Sequence, residues 1–108
     1  MKRGDIRWYG FNPPDKRRPV LILTRNSAIS YLNALTIAPI TTIIRDIPSE
    51  VYLNPADGMP SECAINCDNL QTVAKSKIGA LITVISPERL SEVQEAIGFS
   101  LGFDSLLY

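Results

Sequence analysis

Three short stretches of the chain carry residue types suited to phosphate chemistry. Arg17-Arg18-Pro19 runs directly into Val20-Leu21-Ile22-Leu23, setting a cationic fork at the proline-stiffened entry to an apolar strand. A guanidinium is planar, permanently charged and shaped to grip a phosphate through paired N–H donors. Thr41 follows Ala38-Pro39-Ile40. Its hydroxyl can donate to a phosphoryl oxygen or position a nucleophile, but it cannot serve as a base near neutral pH. Asp68, in Asn66-Cys67-Asp68-Asn69, offers a carboxylate that can accept a proton. Lys16, Arg17 and Arg25 suit sequence-independent contact with a phosphate backbone. Trp8, Tyr9, Phe11, Tyr31 and Tyr52 carry flat faces on which unpaired bases can stack. Each has a plainer reading: an arginine beside a turn decorates a strand, an aspartate in a turn bonds its own backbone, and aromatic rings pack in a core.

The elements that must position these residues are short. Residues 5–11 mix β-formers with charges, and Asn12-Pro13-Pro14-Asp15-Lys16 breaks any regular structure. Val20–Thr24 reads as a central strand buried on both faces, and residues 26–33 hold a single helical turn at most. Further strands are expected over 35–40, 50–53, 62–66, 70–73 and 80–85, with turn chemistry at Asn54-Pro55-Ala56-Asp57-Gly58 and a break at Asp68-Asn69. Thr41 then lies at a strand end. Ser86 can cap a helix with Pro87 at its first position and Gly102 as its stop, and Leu90, Val93, Ile97 and Leu101 mark its buried face. Short strands followed by one amphipathic helix predict a small, curved antiparallel sheet or barrel.

Composition bounds the rest. At 108 residues the chain holds one domain, 1–108, with one modest core. No apolar run approaches the roughly 20 residues of a membrane span, and Met1-Lys2-Arg3-Gly4-Asp5 runs straight into a strand pattern, so a soluble cytoplasmic protein without a membrane partner is expected. Cys63 and Cys67 sit four apart in a strand pattern, about 13 Å between Cα atoms, too far for a disulfide. With no histidine, the familiar zinc ligand sets are absent, so neither a metal nor another cofactor is expected. Eleven basic residues balance eleven acidic ones, yet residues 1–25 hold seven basic side chains against Asp5 and Asp15. That asymmetry can place a cationic face on a neutral molecule.

Gly4-Asp5-Ile6, Arg18-Pro19-Val20-Leu21, Pro39-Ile40-Thr41 and the segment Asn66-Cys67-Asp68-Asn69-Leu70-Gln71-Thr72 together resemble the MazF/PemK family of toxin endoribonucleases, over nearly the whole chain. The resemblance implies a mainly β, SH3-like small barrel of the PemK/CcdB type with a C-terminal helix, assembled as a homodimer. It implies the toxin of a type II toxin–antitoxin pair, cutting single-stranded RNA (messenger, transfer or ribosomal) without a metal, and an antitoxin whose acidic tail occupies the RNA groove. Such cleavage needs a group that accepts the 2′-hydroxyl proton, one that neutralises charge on the non-bridging oxygens and one that assists the departing 5′-oxygen. The resemblance makes Arg18, Thr41 and Asp68 the catalytic residues and sets Lys16, Arg17, Arg25, Asn66 and Asn69 against the RNA. The chain departs from plasmid-type members at Asn66, where they carry an arginine, at Asn69, where they carry glutamine, and at Gln71, where they carry a further arginine. Asn66-x-Asp68-Asn69 is similar instead to a variant in divergent, mycobacterial-type members. The alternative is a binding protein on the same fold, either an RNA binder with impaired catalysis or a CcdB-like gyrase poison. Such poisons depend on a C-terminal tryptophan, whereas the only tryptophan here is Trp8.

Overall fold

The structure, a computed structural model, describes residues 1–10 and 17–104. Among these residues seven strands and two α-helices follow in the order β1 (Asp5–Gly10), β2 (Arg17–Ile22), α1 (Asn26–Ile29), β3 (Ala34–Thr41), β4 (Glu50–Leu53), β5 (Cys63–Asn66), β6 (Gln71–Ala74), β7 (Ile78–Val84) and α2 (Pro87–Leu101), with short 3-10 turns at Pro55–Asp57 and Lys75–Lys77. The antiparallel strands lie in the order β4-β5-β3-β2-β1-β7. β3 is the hub. One edge pairs with β2, and the other serves β6 with its first half and β5 with its last two residues. β4 and β7 end the path, so the sheet is open and small-barrel-like rather than a closed barrel. Register shifts in the β1–β7 ladder, on both sides of Arg7, bend that end of the sheet.

Alternation along the strands builds two cores. On one face Ile6, Leu21, Ala38, Ile40, Val51, Leu53 and Ile65 pack under α2, which contributes Val93 and Ala96. On the other, Tyr9, Val20, Ile22, Leu35, Ile37 and Val73 pack with Ile29 of α1. Val20, Leu21 and Ile22 are all fully buried, so β2 is the two-sided central strand that its uninterrupted apolar run predicts. Cys63 and Cys67 are free and buried in the first core, and desolvation pushes the Cys67 thiol up to about 11, consistent with packing rather than reactivity.

α2 starts where expected, with Ser86 Oγ accepting from the Arg89 N–H at 3.1 Å, and stops at Gly102 with φ +77°. Its buried face differs at two positions: Ala96 is inside and Leu101 is exposed, in a last turn whose Ser100 donates to Asp68. Gly58, with φ +91°, ends the turn Pro55–Asp57 that Arg89 ties to the helix through Asp57. A Cβ there would collide with the Thr83 side chain. Gly58→Ala is therefore expected to cost about 2 kcal/mol or more, from backbone strain plus overlap, measured as a lowered denaturation midpoint with an unchanged m-value.

Candidate active site

The β2–β3 ladder pairs Val20 with Pro39, Leu21 with Ala38 and Ile22 with Ile37. It stops short of Pro19, which has no N–H to give. Carried two residues further, the same register sets Arg18 across from Thr41, and cross-strand partners share a face. Arg18 pairs on its other side with Tyr9, and Thr41 with Ala64 of β5, so one row crosses four strands: Tyr9, Arg18, Thr41, Ala64. The extended register would put the two residues that the sequence reading joined, Arg18 and Thr41, on one face. Arg18 is exposed and Thr41 half-buried at the strand end. Thr41 Oγ1 accepts the Ile43 N–H at 3.1 Å, which leaves the hydroxyl hydrogen to be donated elsewhere.

Arg17 does not form a fork with Arg18, because neighbouring residues of a strand point to opposite faces. Its guanidinium lies over the Trp8 ring, 4.5 Å from the centroid, on the other side of the sheet. Arg25 stands beyond the far end of β2, before α1. Lys16 and Phe11 fall outside the described residues. Among the described aromatic side chains, Tyr9 is buried in the second core, Tyr52 donates to Glu62 Oε1 at 2.6 Å, and Tyr31 is 84% exposed.

Asp68 and Asn66 belong to a second cluster beside the row. Glu50 and Asn66 are cross-strand partners on the face of β4 and β5 that carries Ala64. Asn66 Oδ1 accepts the Asp68 N–H at 3.0 Å, so asparagine rather than aspartate makes the local turn. The Asp68 carboxylate accepts from Ser49 Oγ at 2.5 Å and from Ser100 Oγ at 3.0 Å, joining the β3–β4 connection to the end of α2. Asn69 follows it, exposed. Asp68 lies four residues along the chain from Ala64, about 13 Å if extended. The Ser49 hydroxyl first, then Ser100 and the nearby Arg45, hold its carboxyl below the ordinary value of 3.8. A group with a depressed folded pKa stabilises above the unfolded pKa, and that contribution is lost as pH falls through the folded value. Asp68→Asn should therefore lower the melting temperature at pH 7, with the gap to wild type closing below about pH 4. A gap unchanged at pH 3 would contradict the assignment.

Sequence reasoning missed Arg45, Ser49, Glu50 and Ser100. Arg45 donates through its backbone N–H and Nε to the two Glu50 oxygens, at 2.9 and 2.7 Å. Among the described residues no three metal-ligating side chains cluster, and no helix is long and apolar enough to cross a membrane.

Residues 2–101 match the family described as the PemK-like, MazF-like toxin of type II toxin–antitoxin systems. The chain is similar to the endoribonuclease MazF3 of Mycobacterium tuberculosis, 37% identical over 90 residues that span 83% of this chain and 87% of the relative. Among solved structures it is similar to the M. tuberculosis toxin MazF-mt6, with a TM-score of 0.84 and 34% identity over 91% of this chain and 96% of that one. It shares its fold, at 24% identity and a TM-score of 0.84 over 94% and 95% of the two chains, with an endoribonuclease from a mycobacterial species solved in complex with its cognate antitoxin. The match over residues 2–101, with relatives at 37% and 34% identity aligned over most of both chains, places the chain in the PemK/MazF family: it is a MazF-type toxin of a toxin–antitoxin system, with endoribonucleases among its homologues.

Proposed function

We propose that this toxin is a metal-independent, sequence-selective endoribonuclease of single-stranded RNA, and the observation that supports the reading is the β2–β3 register, whose extension by two residues would bring Arg18 opposite Thr41. The 2′-hydroxyl gives its proton to solvent water and its oxygen bonds to the adjacent phosphorus as the P–O5′ bond breaks, the departing O5′ taking a proton from solvent, which leaves a 2′,3′-cyclic phosphate and a 5′-hydroxyl. Arg18 meets the negative charge that grows on the non-bridging oxygens, and the Thr41 hydroxyl donates to the same group. Asp68, engaged by two serines and of lowered basicity, is a weak proton acceptor for this step. In this reading it positions the turn at Asn66 and the end of α2, and Asp68→Asn loses less than about tenfold in cleavage at pH 7, against far larger losses on the Arg18–Thr41 row.

The toxin works in the cytoplasm as a homodimer. Two unpaired buried thiols suit a reducing compartment. β7 is an uncharged edge strand with Leu81 and Val84 about half exposed, at 49% and 56%, a surface that a second copy would cover. An antitoxin with an acidic segment would compete with RNA for the same guanidinium groups. The purified protein, incubated with a long mixed-sequence RNA in excess EDTA, should cut at one short motif. RNA left intact across messenger, ribosomal and transfer classes would favour a non-catalytic binding protein on this fold.

A further inference from the structure

We infer that Arg45, together with Asn66, reads the base beside the scissile phosphate, an inference that rests on the endoribonuclease reading. Arg45 lies four residues past Thr41 on the β3–β4 connection, and its anchor is unusual. The Glu50 side chain is only 2% exposed and spends both carboxylate oxygens on Arg45, one on the backbone N–H and one on Nε. A buried carboxylate must be paired, so this fixes the inner edge of the guanidinium. The outer edge is held loosely: Nη2 is 3.5 Å from Asn66 Oδ1 and 4.0 Å from Asp68 Oδ2, and the side chain is 48% exposed. Next to it Asp46 takes φ +52°, the one non-glycine among the described residues with positive φ, so the connection holds a strained, defined shape. The result is a guanidinium clamped at the back and open at the front.

Its place and charge decide what it meets. Asn66 is two residues along β5 from Ala64, the partner of Thr41, on the same face and about 7 Å away along the strand. That is one nucleotide's reach from the Arg18–Thr41 row. Two carboxylates, Glu50 and Asp68, flank the single cation, so the cluster has no excess positive charge with which to hold a phosphate. It has directed donors instead. Asn66 Oδ1 is engaged by the Asp68 N–H and Arg45, which leaves its amide N–H groups for a ligand, beside the outer N–H groups of Arg45. Side-by-side donors select a base edge with two neighbouring acceptors, guanine O6 and N7 or cytosine O2 and N3. Adenine and uracil do not offer such a pair, because a donor occupies one of the adjacent positions.

The test maps cleavage sites on a long mixed-sequence RNA for wild type, Arg45→Gln, Arg45→Lys and Glu50→Gln, each checked for folding. Wild type should require guanine or cytosine at one position next to the cut, and substituting 7-deazaguanine for guanine tells the two apart. Arg45→Gln and Arg45→Lys should relax discrimination at that position by roughly tenfold to hundredfold while the rest of the motif stands. Glu50→Gln, which keeps the guanidinium but loosens its clamp, should relax the same position. An unchanged motif in folded Arg45→Gln overturns the inference, as does a uniform loss across all sites that Arg45→Lys restores, which would mark a phosphate contact. Absence of cleavage by wild type itself would instead overturn the endoribonuclease reading beneath it.

Discussion

Arg18→Ala is expected to lose roughly a thousandfold in RNA cleavage while keeping its fold. Arg18 is exposed near the start of β2, outside both cores, so truncating it removes little packing, and the melting temperature should stay within a few degrees of wild type. What it removes, in the proposed reaction, is the permanent charge that meets the developing phosphoryl charge, and loss of one such donor typically costs about 10²–10³ in kcat. Arg18→Lys should recover little, because a lysine ammonium is a point charge without the planar fork that meets two phosphoryl oxygens together. Folded Arg18→Ala with cleavage close to wild type would remove Arg18 from the site.

Thr41→Val should cost about a hundredfold in kcat with KM nearly unchanged. Valine keeps the shape and the β preference of threonine at the end of β3, so the pairing with Ala64 survives. The hydroxyl is what goes. Because Oγ1 accepts the Ile43 N–H, its own hydrogen is available to a phosphoryl oxygen, and that donor is missing in the variant. The Ile43 N–H is left to water at an exposed loop, a small loss in stability. Thr41→Ser, which retains the donor, should restore most of the rate. A fall confined to KM would mean that the hydroxyl serves ground-state binding only.

The elements of this fold were legible because each carries its own local signal. Val20–Ile22 is apolar without interruption and is buried on both faces; Ser86, Pro87 and Gly102 bound α2 as their chemistry requires. The proposed partnership of Arg18 and Thr41 came only from the resemblance, since antiparallel register cannot be counted from residues 23 apart in the chain. The supposed fork of Arg17 and Arg18 failed on strand alternation, which sends Arg17 to Trp8. The Asp68 environment was hidden because its partners come from Ser49 and Ser100, on elements with no local relation to it. Arg45 was hidden for the same reason. At the place where the resemblance to plasmid-type members would put an arginine, the chain has Asn66, and the fold brings the Arg45 guanidinium to Asn66 from 21 residues away.

The chemistry of the fragment ends tests the central claim most directly, with wild type and Arg18→Ala run side by side on one RNA in excess EDTA. Cleavage by 2′-hydroxyl attack on the Arg18–Thr41 row predicts a 2′,3′-cyclic phosphate on every upstream fragment and a 5′-hydroxyl on every downstream one, with both absent from the variant. Fragments ending in 3′-hydroxyl and 5′-phosphate, or cyclic phosphates produced equally by folded Arg18→Ala, would contradict it.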